Sequence, residues 1–281
     1  MILFFRKLIA FRSDIAETSL EQCKQRYNDM RNKNRGRTFT ADFIHADSTR
    51  DRLKDKFQNR DIKFDLVSIQ FSFHYCFESL PQAECMIRNA SESLRPGGYF
   101  IGTTPDAFEI VKRLRNGDSH KFGNDVYSVA FDEEEYSDKN LKIPLFGTKY
   151  NFHLDGVVDC PEFLVYFPVL VEICKKYHLH LVFKDRFDDY FRKHQSRDDL
   201  NLIRRMDGLE CYSKGKNNLM GSKDDYKHCE EFISKLNSNE QDITQVGTIS
   251  ASEWEAITLY ILFAFQKNSP DTSKPNKRQK V

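Results

Sequence analysis

The segment IKFDLVSIQFSFHY, residues 62–75, constrains the fold of this chain more than any other. From Phe64 to Phe71 it is almost continuously apolar, with no alternating polar face. A strand of that kind is buried on both sides, as in a parallel sheet covered by helices on both faces. Its neighbours agree. Residues 81–94 have helical spacing, Arg95–Gly98 (RPGG) marks a sharp turn, and YFIGTT is a second strand. Upstream, residues 18–31 place Leu20, Cys23 and Tyr27 on one helical stripe, and residues 39–45 form a short strand leading to Asp47. Strands alternating with helices through short connections predict an α/β fold with a doubly wound parallel sheet.

The remaining segments extend this pattern. A helix is expected over 105–115, and residues 126–131, 145–154 and 179–184 alternate like strands. Residues 161–177 read as one helix, with Pro161 in its first turn and Pro168 kinking it. Residues 192–248 are polar and read as a small helical insertion. Residues 250–256 begin a helix capped by Ser250 or Ser252, and LYILFAF (259–265) is an apolar strand that closes the sheet. The expected organisation is one domain over 1–267 and a disordered basic tail over 268–281.

Composition narrows the function classes. Hydrophobic residues are 40% and charged residues 30% of the 281, enough for a substantial core. The net charge of +1 argues against a protein that coats long nucleic acid, so any RNA contact is expected to be local. The 24 phenylalanines suit a core and also a pocket that stacks a flat ligand. Seven cysteines with no CxxC pair argue against a zinc site and a disulfide framework, and for a reducing compartment. MILFFRKLIAF, interrupted by Arg6 and Lys7, is too short to span a membrane and lacks a cleavage signal.

A doubly wound sheet binds ligands beyond the carboxyl ends of its strands. Four places qualify: Asp14 in SDIAE, Asp47 in HADS, Gln70–Tyr75, and Gly102–Pro105. Taken singly, each has a plain structural explanation. An aspartate at a strand end caps a helix, His74 is a structural histidine, and Phe71 and Tyr75 are core. Glu162 is a first-turn acid facing a helix dipole.

Together they resemble something more specific. The runs SDIAETSLEQCKQRY, FDLVSIQFSFHYCFES, NASESLRPGGYFIGTTPDAFEI, PLFGTKYNFHLDGVVDCPEFLVYFPVL and SEWEAITLYILFAFQK are similar to the eukaryotic mRNA cap guanine-N7 methyltransferases, over about residues 12–267. The resemblance implies a Rossmann-like class I methyltransferase using S-adenosyl-L-methionine. It implies that Asp14, Asp47, Gln70 and Tyr75 contact this cofactor, and that Arg26, His74, Glu162 and Tyr260 contact the capped RNA end. It also implies a small activating subunit on the 192–248 lobe and action in the nucleus, for which KPNKRQKV resembles an import signal. No acid–base catalyst is expected, because guanine N7 carries a free lone pair and the methyl group is already activated.

One departure stands out. The family opens with a strand and a glycine-rich turn that admits the methionine part of the cofactor. Here the first glycine is Gly36, beyond the first helix, and the lysines around that turn are absent too. The expectation is an N-terminally truncated sheet in which MILFFRKLIAFRSD supplies a remnant of the second strand. Such a sheet is poorly stable unless MILFF pairs in the vacated slot. Cofactor binding is then expected to be weak or absent, and the alternative function is a cap- or partner-binding module.

Overall fold

The computed structural model describes residues 1–6, 9–34, 38–136, 143–213, 219–238 and 243–268. The expected basic tail lies outside the described residues, except for its first residue, Asn268. The chain opens with β1 (Ile2–Arg6) and β2 (Ile9–Asp14), followed by α1 (Glu17–Lys33), β3 (Thr40–His45), β4 (Phe64–Ile69), α2 (Leu80–Glu92), β5 (Leu94–Pro105) and α3 (Ala107–Asn116). Then come β6 (Lys121–Gly123), β7 (Tyr127–Ala130), α4 (Glu133–Tyr136), β8 (Lys149–Leu154), β9 (Val158–Phe163), α5 (Phe167–Lys176), β10 (Leu179–Arg186) and α6 (Phe187–Lys193). The last part holds α7 (Arg197–Arg205), β11 (Glu210–Ser213), α8 (Lys227–Asn237), β12 (Gln245–Thr248), α9 (Ala251–Ile257) and β13 (Tyr260–Lys267).

Seven strands form the main sheet in the order β10-β13-β5-β4-β1-β2-β3. The pairs β2–β3 and β4–β5 are parallel, while β13 is antiparallel to β5 and β10. The expected α/β sheet is therefore present but mixed. Its apolar interior is the reason for the continuous hydrophobic run in β4, where Phe64, Val67 and Ile69 are buried. Side chains of α2 (Ala83, Met86, Ile87, Ala90) and α5 (Leu170, Ile173, Cys174) join the strands in this core.

The opening segment differs from the expectation. It supplies two strands, and β1 sits centrally, antiparallel to both neighbours, with Ile2 opposite Ser13 and Leu3 opposite Ser68. The cause is the connection. Two residues separate β1 from β2, and so short a link joins only antiparallel strands, since a parallel crossover needs a dozen residues or more. MILFF thus fills the slot, with Phe4 packed among Phe57 and Phe64.

Residues 161–177 also differ. They begin in strand β9, and the helix starts only at Phe167 with Pro168 in its first turn. Proline lacks the N–H that a helix interior needs, but costs nothing at a helix start, so the chain begins the helix there instead of kinking one. β13 lies inside the sheet rather than closing it, and the described edges are β10 and β3.

A second sheet, β6-β7-β8-β9, packs against α3 and α9 through Ile110, Leu114, Tyr127, Tyr150, Phe152 and Leu259. The 192–248 segment holds helices and the β11–β12 hairpin, so it is not purely helical. Ser250, not Ser252, caps α9 in a reciprocal box with Glu253. Ser252 instead donates to Asp225 Oδ1.

Candidate active site

The carboxyl end of β4 turns abruptly. Phe71 has φ +52°, a conformation unfavourable for a bulky residue, and its N–H donates to Thr103 Oγ1 at 2.8 Å. The turn leaves the Phe71 ring 53% exposed, edge-on to Tyr260 at 5.2 Å and to Phe187 at 6.1 Å. Two turns of tight helix, Phe73–Glu78, follow and bury Phe73, Cys76 and Phe77. That anchoring carries His74 and Tyr75 toward the second sheet.

There they meet Glu162, which is only 3% exposed. It sits on β9 directly opposite Tyr150 on β8, not in a helical first turn. The Tyr150 hydroxyl donates to Glu162 Oε2 at 2.8 Å. His74 Nε2 lies 3.1 Å from Oε1. That contact is close but poorly aligned, and both ring nitrogens of His74, 1% exposed, lack a hydrogen-bond partner. A buried imidazole with unspent donors and acceptors is costly unless something else completes it. Tyr75 Oη is 3.2 Å from Cys160 Sγ, and its ring is 4.4 Å from that of His74.

The three phenols share one electrostatic environment. Burial pushes the Tyr150 and Tyr260 hydroxyls up, and the Glu162 carboxylate adds to both. Burial also raises Tyr75, reinforced by its contact with Cys160 and by Glu162. All three are therefore neutral hydrogen-bond donors at neutral pH. The cluster combines a buried carboxylate and neutral phenols, and the rings of Phe71, Phe187 and Tyr260 pack together beside it.

A second group lies where β2, β3 and β4 end. Asp14 Oδ1 accepts from Ala16 N at 3.1 Å, and Oδ2 is 3.5 Å from Arg12. Asp47 Oδ1 accepts from the Thr49 N–H and hydroxyl at 2.9 and 2.7 Å. Gln70 Nε2 donates to Ser68 Oγ at 2.9 Å. Arg12 Nε is buried without a partner. Arg26, on α1, is exposed, and no contact joins it to either group among the described residues.

The structure thus gathers His74, Tyr75, Glu162 and Tyr260 into one side-chain cluster and puts Asp14, Asp47 and Gln70 at the ends of β2, β3 and β4. Sequence reasoning missed Tyr150 and Phe187. Tyr150 was recoverable from the alternation in KYNFHL facing VDCPEF, but reading Glu162 as helical hid the pairing.

A mixed α/β sheet with acids at the ends of two adjacent parallel strands, β2 and β3, has the layout of the doubly wound class, whose ligands bind beyond the strand ends. Residues 6–268 match the mRNA (guanine-N(7))-methyltransferase domain, and the chain belongs to that family. A Drosophila melanogaster protein named mRNA cap guanine-N(7) methyltransferase is 46% identical over 271 residues, covering 93% of this chain and 60% of that protein. Its Caenorhabditis elegans namesake is 39% identical, covering 93% and 68%. The chain therefore spans about three fifths to two thirds of these relatives' length. Among solved structures, the CcbJ methyltransferase from Streptomyces caelestis superposes with a TM-score of 0.46 at 11% identity, over 92% of this chain and 74% of that one.

Proposed function

We propose that this chain transfers a methyl group from S-adenosyl-L-methionine to N7 of the terminal guanosine of capped RNA. The observation that carries this is the buried Glu162 carboxylate, held by Tyr150 and flanked by His74. A carboxylate has about four acceptor sites, so each oxygen retains capacity beyond its present contact. It accepts the N1–H and exocyclic amine on one guanine edge. Adenine lacks that pair and would leave the charge unmatched, at a cost of about 2 kcal/mol or more. Gripping guanine by this edge leaves N7, on the opposite side of the base, free. Phe71, Tyr75 and Tyr260 pack against the ring, worth about 1–3 kcal/mol per stacked base. Arg26 serves the cap phosphates as a mobile charged fork.

The residues at the strand ends fit the nucleoside half of the methyl donor. On this reading Asp14 serves the ribose hydroxyls and Asp47 and Gln70 the adenine side, with Arg12, whose buried Nε is an unspent donor, beside Asp14. When bound, the donor supplies a methyl group on a sulfonium. The protein's part is to align guanine N7 with that methyl and exclude water, which supplies roughly 7–11 kcal/mol. No residue has to remove a proton.

One observation favours a second reading, a cap- or partner-binding module without transfer. β1 runs antiparallel, so the end it presents beside Asp14 is its amino end. Among the described residues the first glycine is Gly97, so no glycine turn faces the methionine half of the cleft. The 192–248 lobe is the surface for a small activating partner, with Leu202, Met206 and Phe232 exposed on it. Action on capped RNA implies the nucleus. No helix among the described residues is long and apolar enough to cross a membrane.

Calorimetric titration with S-adenosyl-L-methionine and with the dinucleotide GpppG, beside a methyl-transfer assay on capped RNA, separates the readings. Transfer to guanine caps that Glu162→Ala abolishes supports the enzyme. GpppG binding without donor binding supports the module. Equal action on guanine and adenine caps overturns both.

A further inference from the structure

One face of α2 is devoted to the loop that carries Asp47. Cys85, Asn89 and Glu92 follow each other at helical spacing and reach the same loop, residues 48–53, the first two at its backbone and Glu92 at a side chain. Glu92 grips Arg52 through two nitrogens, at 2.9 and 2.7 Å, on the outside. Cys85 Sγ lies 3.6 Å from the Asp51 carbonyl. Asn89, 1% exposed, does most. Its Oδ1 accepts from Leu53 N at 2.9 Å, and its Nδ2 donates to the carbonyls of Ser48 and Asp51 at 2.9 and 2.7 Å. Both amide N–H groups and the amide oxygen are used, and only this orientation of the amide satisfies all three partners.

The loop needs that anchor. Beyond β3 it has left the sheet ladder. Ala46 N still reaches Asp14 O at 3.0 Å, and the Ser13 and Ser48 hydroxyls lie 3.4 Å apart. Past that point the backbone turns on itself, with Arg50 N and Asp51 N both donating to Asp47 O. Asn89 is the buried side chain that ties this turn to a helix packed under the sheet.

We propose that Asn89 is a positioning residue that fixes the Asp47 carboxylate relative to Asp14 and so sets the affinity of the nucleoside half of the donor site. It touches no ligand itself and acts through the loop. This rests on the assignment of Asp14 and Asp47 to the donor.

The test uses Asn89→Asp, which turns an oxygen toward two carbonyls, and Asn89→Ser, a truncation that removes all three bonds without adding a charge. Each is titrated with S-adenosylhomocysteine as the donor-site probe and with GpppG as the pocket probe. Amide hydrogen exchange is followed in parallel. The expected result is S-adenosylhomocysteine binding weakened about 10-fold or more in both variants. GpppG affinity should stay within about twofold, since Glu162 shares no partner with Asn89. Exchange should quicken at residues 49–53 and stay unchanged in β4 and β5. Unchanged donor-site affinity overturns the proposal, and so does equal weakening of both ligands, which marks a merely structural role. If the unsubstituted chain binds no S-adenosylhomocysteine, the donor reading fails on its own. Exchange then decides the positioning claim, and unaltered protection at 49–53 in Asn89→Ser sinks it.

Discussion

Glu162 gains its chemistry from its neighbours. A lone glutamate in VDCPEF reads as a first-turn acid, and its assignment to the capped RNA end came only through likeness to a family. What holds the carboxylate is Tyr150, across the β8–β9 ladder. A hydrogen bond to a charged group contributes about 1.5–3 kcal/mol. Tyr150→Phe should therefore weaken GpppG binding roughly 10-fold or more and also lower the melting temperature, because it leaves one buried Glu162 oxygen without its donor, read by titration and by a melting curve. Glu162→Gln should weaken it further, because the new amide can turn an N–H toward the guanine donors. A Tyr150→Phe variant that binds GpppG like the parent would remove Tyr150 from the site.

α1, α2, α3, α9 and most strands of the main sheet were legible because their signals are local. The stripe in α1, the run in β4, the RPGG turn and the Ser250 cap all lie within one element or its flanks. Where proline intervenes, local reading misled, since Pro168 starts a helix rather than bending one. β1 was the larger surprise. It occupies a central slot, with Ile2 and Phe4 fully buried. Phe4→Ala should cost about 3–5 kcal/mol, seen as a lower urea midpoint with an unchanged slope. A loss below 1 kcal/mol would mean that β1 does not hold this position in solution. At α9, Ser250→Ala breaks the reciprocal cap with Glu253 and should cost about 1 kcal/mol, or roughly 2–4 °C in Tm.

Across the protein as a unit, buried phenols dominate the response to pH. Tyr75, Tyr150 and Tyr260 around Glu162, and Tyr127 in the second sheet, are all raised, with burial as the leading cause. For Tyr127 the carboxylate of Glu255 reinforces this, and Arg113 partly offsets it. The sign follows directly. An unfolded tyrosine ionises near pH 10, about its ordinary value, while these folded ones resist. Their stabilisation is thus complete below about pH 10 and is lost as pH climbs toward the raised folded values. The urea midpoint should fall steeply above pH 10, and Tyr150→Phe should flatten part of that fall. A midpoint level from pH 9 to 11 would contradict it.

Periodicity and turn residues alone were enough to set the class of fold, an α/β sheet flanked by helices, because hydrophobic period is a property of neighbouring residues. The strand-end acids were visible for the same reason. The direction of β1, the partners of Glu162 and the grip of Asn89 on the Asp47 loop depended on packing. Tyr150 and Glu162 are 12 residues apart and Asn89 reaches partners 36 to 41 residues away. Such contacts exist only once the sheets have assembled, since register between distant strands and helices is chosen by the core they jointly bury.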